Sequence, residues 1–596
     1  MFNHFTVLGV VLLYMGGLFF IARYIEKKSS RIKKIENNPF IYALGLAAYC
    51  TTWTYYGSVG KAATSGMLFL AIYLGPTLTI IWWWSIVRRM VRLKSTYRIT
   101  NIADFISARY DKSRIIAALA TVIALVGNMP YIALQFKAVL TTFEIMIGGT
   151  SSASFPGDLV VSLTMVCLMI LFTIVFGIRR LDPTERHPGM MTAVAVESGV
   201  KLFAFVAAGI FVCFFLHDGV GDIFRHVARM PAAAAQLSGQ APVGVMQWLS
   251  YLALGMSAIL FLPRQFHATV VENTKEDHIR TAMWVFPLYL FLINIFVVPI
   301  ACSGLLNGLS FDLADQFVLL LPLRHGTPWL ALCVFIGGVS AAASMIMISS
   351  MTLATMVTNH LFLPVIAHLR VSVNVQRHVL KVRWASAAGI IIGGYLFERV
   401  LYADMLVNIG LIAFAAALQF APVAVGGLSW RRATECGAFW GLSAGFFLWG
   451  YTLLLPALVR SGWLPANIVL HGPAGVGLLR PEQLFGVIAF DPLTHGVFWS
   501  MLANIGCYVI GSLCTESTET ERKIAEDFVS ILQENKPTAV RSAGAAVVLP
   551  EKLVLLEKVL ERFFPTAETA AIIQRGRASA GLGDKDMISV TELAAL

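Results

Sequence analysis

The chain has 596 residues, 57% of them hydrophobic and only 13% charged, with a mean hydropathy of +0.73. Soluble globular chains carry about 25% charged residues, and one of this length would need several domains with polar surfaces. Soluble enzymes, fibrous proteins and disordered chains are therefore excluded, which leaves a polytopic membrane protein. The formal charge of +11, from 45 Lys+Arg against 34 Asp+Glu, fits either a nucleic-acid partner or membrane topology, and the positions of the charges decide between them.

A membrane span needs about 20 apolar residues. Thirteen segments qualify, at 5–25, 40–60, 67–88, 115–147, 158–178, 188–216, 246–263, 281–304, 328–362, 384–402, 404–428, 437–459 and 496–514. The first is long, meets a basic cluster and lacks a small-residue cleavage site, so it reads as a span rather than a removable signal. With the N-terminus outside, the inside loops hold 24 basic residues and the outside loops 6. Among the inside residues are Lys27, Arg92, Arg109, Arg186, Arg264, Arg383 and Arg431. That bias orients the chain with its C-terminus inside and assigns the basic excess to topology and lipid, with no nucleic acid involved. The eight cysteines contain no Cys-x-x-Cys pair and read as buried thiols rather than disulfides or a metal site.

Two spans carry features that a plain anchor lacks. The second runs Ala47-Ala48-Tyr49-Cys50-Thr51-Thr52-Trp53-Thr54-Tyr55-Tyr56-Gly57, and its centre is rich in poor helix formers with spare hydrogen-bond groups. The ninth contains Gly337-Gly338-Val339-Ser340-Ala341-Ala342-Ala343-Ser344. Both are expected to be broken helices of the kind that offer carbonyls and hydroxyls to a cation. For the ninth, close helix packing by small residues is the competing explanation. Glu197 and Lys201 lie mid-span, four residues apart on one face of the sixth segment. An intramembrane acid points to function, although a self-neutralising pair is the simpler reading. The histidines, including His187 and His267, show no metal-ligand spacing, and no P-loop, nucleophile elbow or nucleotide motif is present. The chain as given is therefore not expected to be catalytic.

The tail from about Thr515 is different in kind. Ile524, Phe528, Ile531 and Leu532 recur at helical spacing, and a second run from Pro550 places Leu553, Leu556, Val559, Leu560 and Phe563 on one face, ended by Pro565. Thr569 to Arg577 and Ile588 to Leu596 read as two further short helices. Residues 515–596 are expected to form a small cytoplasmic helical bundle. The chain stops inside the last pattern without a cap or breaker, as expected of a longer protein cut short.

Thirteen spans, an outside N-terminus and interrupted helices resemble the sodium:solute symporter family. The loop motifs Gly177-Ile178-Arg179-Arg180-Leu181-Asp182-Pro183-Thr184-Glu185-Arg186-His187 and Leu262-Pro263-Arg264-Gln265-Phe266-His267-Ala268-Thr269-Val270-Val271-Glu272-Asn273 are similar to the branch fused to sensor histidine kinases. The resemblance implies an all-α membrane fold of the LeuT type with a 5+5 inverted repeat. It places the transporter domain at 1–514, with core repeats at about 40–216 and 246–428, and a STAC-like bundle at 515–596. It further implies a multi-pass protein of the bacterial inner membrane with a periplasmic N-terminus. The solute would be an amino acid, L-histidine by the resemblance, imported with a cation. Kinase and PAS domains and a response regulator would act downstream, and a plain symporter with a regulatory tail is the alternative.

Carried over by position, the family's cation site falls on Ala47, Cys50, Ala341, Ser344 and Met345, with Ala47 and Ala341 serving through backbone carbonyls. Met345 offers only a soft thioether to a hard cation, and Tyr49 stands where the family often has a carboxylate or amide. Glu197 falls where the family places an acid on the cation exit path. A degraded sodium site beside a retained acid leads to the expectation that protons, rather than Na+, drive transport. The resemblance puts the solute between spans 2, 4, 7, 9 and 11, where Trp53, Thr54, Tyr55, Tyr56, Tyr131 and Gln135 are the candidate contacts. Aromatic faces suit a planar or apolar ligand, and the polar groups would fix its orientation. Simple packing is the competing role for each aromatic.

Overall fold

The computed structural model describes residues 2–27, 37–148, 156–178, 186–230, 244–368, 375–400 and 406–532, together with 547–548, 574 and 588–589. The chain divides into a unit at Met1–Val529 and a second at Ser530–Leu596. The regular secondary structure among the first unit's described residues is all helical. Helix α1 (His4–Lys27) is followed by a second segment in two pieces, α2 (Pro39–Gly45) and α3 (Ser58–Ser65). Between them lie a 3-10 turn at Leu46–Tyr49 and a π turn at Trp53–Gly57. Gly66, at φ 58°, ends α3 in a backbone region open to glycine, and α4 (Ala71–Tyr97) begins a new segment.

Asn101 caps the short helix α5 (Ile102–Arg109) by accepting from the Asp104 N–H at 2.9 Å. Then come α6 (Arg114–Ile147), α7 (Pro156–Gly177) and α8 (Pro188–Phe214). The seventh segment is also in two pieces. Helix α9 (Val245–Phe261) stops at Leu262, whose ψ of 132° is the extended conformation favoured before proline. Helix α10 (Pro263–Phe266) continues as a π turn to Val271, bent from α9 by 51°. The helices that follow and matter here are α11 (Asp277–Asn294), α12 (Val297–Leu306), α13 (Pro328–Met356), α14 (Val375–Val400), α15 (Leu406–Leu418), α16 (Phe420–Ser429), α17 (Glu435–Trp449), α18 (Pro492–Cys514) and α19 (Glu519–Ser530), with shorter helices between them.

Among the described residues eleven helices are long and apolar enough to cross a membrane, or twelve if the bent pair counts as one span. The thirteen segments expected from sequence differ from this because the second consists of two short pieces. Small residues bring helices into backbone contact: a Cβ on Gly255 of α9 would stand 2.6 Å from the Ile72 carbonyl of α4.

Two expectations are corrected. The ninth segment, α13, is one unbroken helix. Its Gly337 and Gly338 are flat ground onto which Tyr55 and Tyr56 pack, because a Cβ at either position would collide with those rings. The break lies instead in the seventh segment. As a result Arg264 and His267, expected in an inside loop, are buried.

In the second unit Val547–Val548 pairs antiparallel with Ile588–Ser589. The β-branched residues Val547, Val548 and Ile588 favour this extended pairing over the helix expected from Ile588 onward. The run from Pro550 to Phe563 lies outside the described residues.

Candidate functional site

The site is built at the break in the second segment. Asn38 starts α2 by accepting from the Phe40 N–H at 2.9 Å, and the helix tightens and stops at Cys50, whose ψ is 96°. Thr51 and Thr52 then use their hydroxyls in place of helical bonds. The Thr51 hydroxyl hydrogen-bonds to the Tyr131 hydroxyl at 2.9 Å and accepts from the Trp53 N–H at 3.3 Å. Thr52 donates its hydroxyl and its N–H to Gln135 Oε1, at 2.8 and 3.2 Å. Tyr131 and Gln135 of α6 are thus engaged in holding the break.

The remaining carbonyls of the break face α8. The Lys201 ammonium donates to the carbonyl oxygens of Ala47 and Cys50, each at 2.8 Å. Among the described residues no ion pair joins Lys201 to Glu197, which is the simpler of the two readings of these residues. Both Glu197 carboxylate oxygens are buried without a hydrogen-bond partner among the described residues. The lysine side chain reaches carbonyls one helix away, which supply the oxygens that its buried charge requires. On α13 the Ser344 hydroxyl turns back to the Ser340 carbonyl at 3.2 Å, Ala341 and Met345 are buried, and Ser340 donates to the Glu197 backbone carbonyl at 3.0 Å. Two of the positions carried over for sodium, Ala47 and Cys50, therefore converge on an ammonium group already in place.

Among the expected solute contacts, Trp53 and Tyr131 come together around Phe414 of α15, with ring centroids 6.0 and 5.6 Å from it. Tyr49 joins them at 6.1 Å. Gly410 permits the approach, since a Cβ there would stand 2.7 Å from Trp53. Tyr55 and Tyr56 lie elsewhere, edge to face at 4.9 Å, with Tyr55 against Phe205 of α8. Thr54 is buried and its hydroxyl has no partner among the described residues.

Arg264, which sequence reasoning placed in a loop, enters this cluster from the break in the seventh segment. Its guanidinium lies over the Tyr131 ring, 4.5 Å from the centroid. Pro263 was the available signal: a proline inside an apolar run that resumes as Ala268-Thr269-Val270-Val271 marks a break within a span rather than its end.

Just past that break the two loop motifs meet. Glu272 Oε1 accepts from the His187 backbone N–H at 2.8 Å and lies 3.1 Å from His267 Nε2 and 3.4 Å from His187 Nδ1. Burial pushes this carboxyl up, but the bonds from His187 and His267 outweigh it and hold the group down at about 2. The ligating atoms of the three residues lie within 4.8 Å of one another, a donor set that suits a divalent transition metal. The histidines are too far apart in sequence for motif reading to join them. Lys94 caps the same turn, donating to the carbonyls of Val271 and Asn273 at 3.2 and 2.7 Å.

The tail helix α19 seats Phe528 against Tyr97 and Phe105, with centroids at 5.2 and 5.9 Å. Phe105 in turn packs on Phe266 of α10 at 5.5 Å, and the Tyr97 hydroxyl donates to Asp527 at 2.9 Å. An aromatic line thus runs from the seventh-segment break to the tail.

No family model matches the sequence. The structure superposes on that of a Na+-coupled sialic acid symporter in its substrate-bound outward-open state with a TM-score of 0.61, at 13% identity, covering 87% of this chain and 99% of that one. The chain has a symporter fold. It is also 23% identical over 467 residues to the uncharacterised symporter YodF of Bacillus subtilis (strain 168), covering 75% of this chain and 86% of that protein. The chain is a multi-span integral membrane protein.

Proposed function

We propose that the chain is a symporter that moves a small solute together with protons, with Lys201 and Glu197 as the coupling groups. The observation that carries this reading is the Lys201 ammonium, 2.8 Å from both the Ala47 and Cys50 carbonyls. A sodium ion directed to those oxygens would meet a like charge. While protonated, Lys201 closes the break in the second segment. Loss of the proton frees two carbonyls and lets the pieces on either side of the break move, and Glu197, on the same helix face, is placed to exchange that proton. Interrupted second and seventh segments are what an inverted five-helix repeat around a midplane site requires, which supports membership of the sodium:solute symporter family.

The solute is an amino acid, with L-histidine favoured by the similarity of the two loop motifs to the kinase-linked branch. The excess of basic residues in the inside loops supports a periplasmic N-terminus and a cytoplasmic C-terminus in a bacterial cell. A sensory role, in which solute occupancy is passed to a two-component kinase, is favoured by the aromatic line Phe266–Phe105–Phe528, along which movement at the break would reach the tail. In proteoliposomes loaded with a pH-sensitive dye, adding L-histidine outside should acidify the lumen in step with uptake. Uptake without lumenal acidification would contradict proton coupling.

A further inference from the structure

Among the described residues two arginines are fully buried, and they differ in what surrounds them. Arg109 donates from Nε and Nη2 to the carbonyls of Gly427, Trp430, Arg431 and Ala433, at 2.9 to 3.4 Å. It ties α5 to the end of α16 and is accounted for as a structural residue. Arg264 is as deeply buried, yet its Nε, Nη1 and Nη2 have no hydrogen-bond partner among the described residues. Its guanidinium lies over the face of Tyr131, whose hydroxyl is already bonded to Thr51. The acids nearby do not serve it: Glu272 is bonded to His187 and His267, and Glu197 makes no bond to it.

Removing a guanidinium from water costs several kcal/mol unless anions or carbonyls replace the solvent, and within a membrane the cost marks a functional group. Cation–π contact with Tyr131 offsets only part of that cost. The missing partner is an acceptor for a planar fork of donors, the geometry that a carboxylate fills with two parallel bonds. The position agrees with this role. Arg264 leaves the chain two residues after the break at Leu262, beside the unwound part of the second segment and the cluster of Trp53, Tyr131 and Phe414.

We propose that the transported solute carries a carboxylate and that Arg264 binds it, with the planar or apolar remainder of the solute against Trp53 and Phe414. This rests on the transport reading above. It adds to that reading the group of the solute that is recognised and the residue that recognises it.

The test uses the purified full chain, with thermal stability and binding measured for L-histidine, L-histidinamide and sodium sulfate. The acid–amide comparison is then repeated over the common amino acids. Wild type is expected to be stabilised by an acid and not by its amide or by sulfate. Arg264→Gln should weaken acid binding by roughly 10- to 100-fold, and Arg264→Lys should restore part of it. Without ligand, Arg264→Gln should melt no lower than wild type, because it removes an unmatched charge; a large drop would make the guanidinium structural and overturn the assignment. Amides or sulfate that bind as well as acids, or the absence of binding by any acid, would also overturn it. Acids that bind through Arg264 but enter proteoliposomes without protons would refute the coupling and leave the assignment standing.

Discussion

At Cys50–Thr52 the interrupted second segment is stitched on every side, with hydroxyls and N–H groups to Tyr131 and Gln135 and carbonyls to Lys201. At Leu262 the seventh segment breaks just as sharply, yet the charge it delivers, Arg264, has no hydrogen-bond partner among the described residues. One break contains its own cation, and the other presents a cation with no acceptor. On the proposed reading the contrast separates two tasks that a symporter combines, the first break answering to the coupling proton and the second to the solute.

The flanks of the two breaks also differ. Beyond the first, Asp315 packs against Gly60 of α3 and accepts from the Leu406 N–H at 3.3 Å, and burial pushes its carboxyl up to about 6. Beyond the second, Glu272 is held at about 2 by its two histidines. One anchor favours a neutral acid and the other an ionised one, so pH should act on them differently.

The largest effect is expected at the stitched break. Lys201→Met should abolish proton-driven uptake and lower stability by about 2–4 kcal/mol, because two buried carbonyls lose a charged donor. Retained proton-driven uptake would show that the lysine only packs. Next is Glu272→Gln. The native carboxyl is depressed from its usual 4.5 to about 2, so its stabilisation is present above pH 4.5 and lost as pH falls through 2. The variant should be less stable by about 3 kcal/mol at neutral pH, a gap measurable by thermal melting that narrows in acid.

Asp315→Asn should have the opposite sign. The native carboxyl is raised from 3.8 to about 6, so its favourable neutral form is complete below pH 3.8 and lost as pH rises through 6. The variant should melt higher than wild type at pH 8, by about 2–3 kcal/mol, and match it near pH 4. Equal melting at both pH values would mean that Asp315 is hydrated. The smallest effect is expected for Thr52→Val, which removes the hydroxyl bond to Gln135 and should cost about 1 kcal/mol while leaving Lys201 in place.

Apolar run length was enough to find the helical segments, because membrane spans write their length directly into hydropathy. What lay beyond it depended on partners distant in sequence. A charged pair at Glu197 and Lys201 reads as an i,i+4 ion pair, and only the fold brings the Ala47 and Cys50 carbonyls closer to the lysine than its neighbour. Arg264 and His267 look like a membrane exit because charge after an apolar run usually is one; the ring of Tyr131 and the carboxylate of Glu272 show otherwise. Gly337 and Gly338 carry the small-residue signature of either a break or a packing face, and the rings of Tyr55 and Tyr56 settle it as packing. The Thr-rich centre of the second segment was legible because its residues compete locally with the helix, without help from elsewhere.

The claim that Lys201 stands in for a coupling ion is tested most directly by solute uptake into proteoliposomes in sodium-free buffer under an inside-alkaline pH gradient. Uptake that proceeds without sodium, collapses with a protonophore and is absent in Lys201→Met is the predicted result. A strict requirement for sodium in the wild-type protein would contradict it.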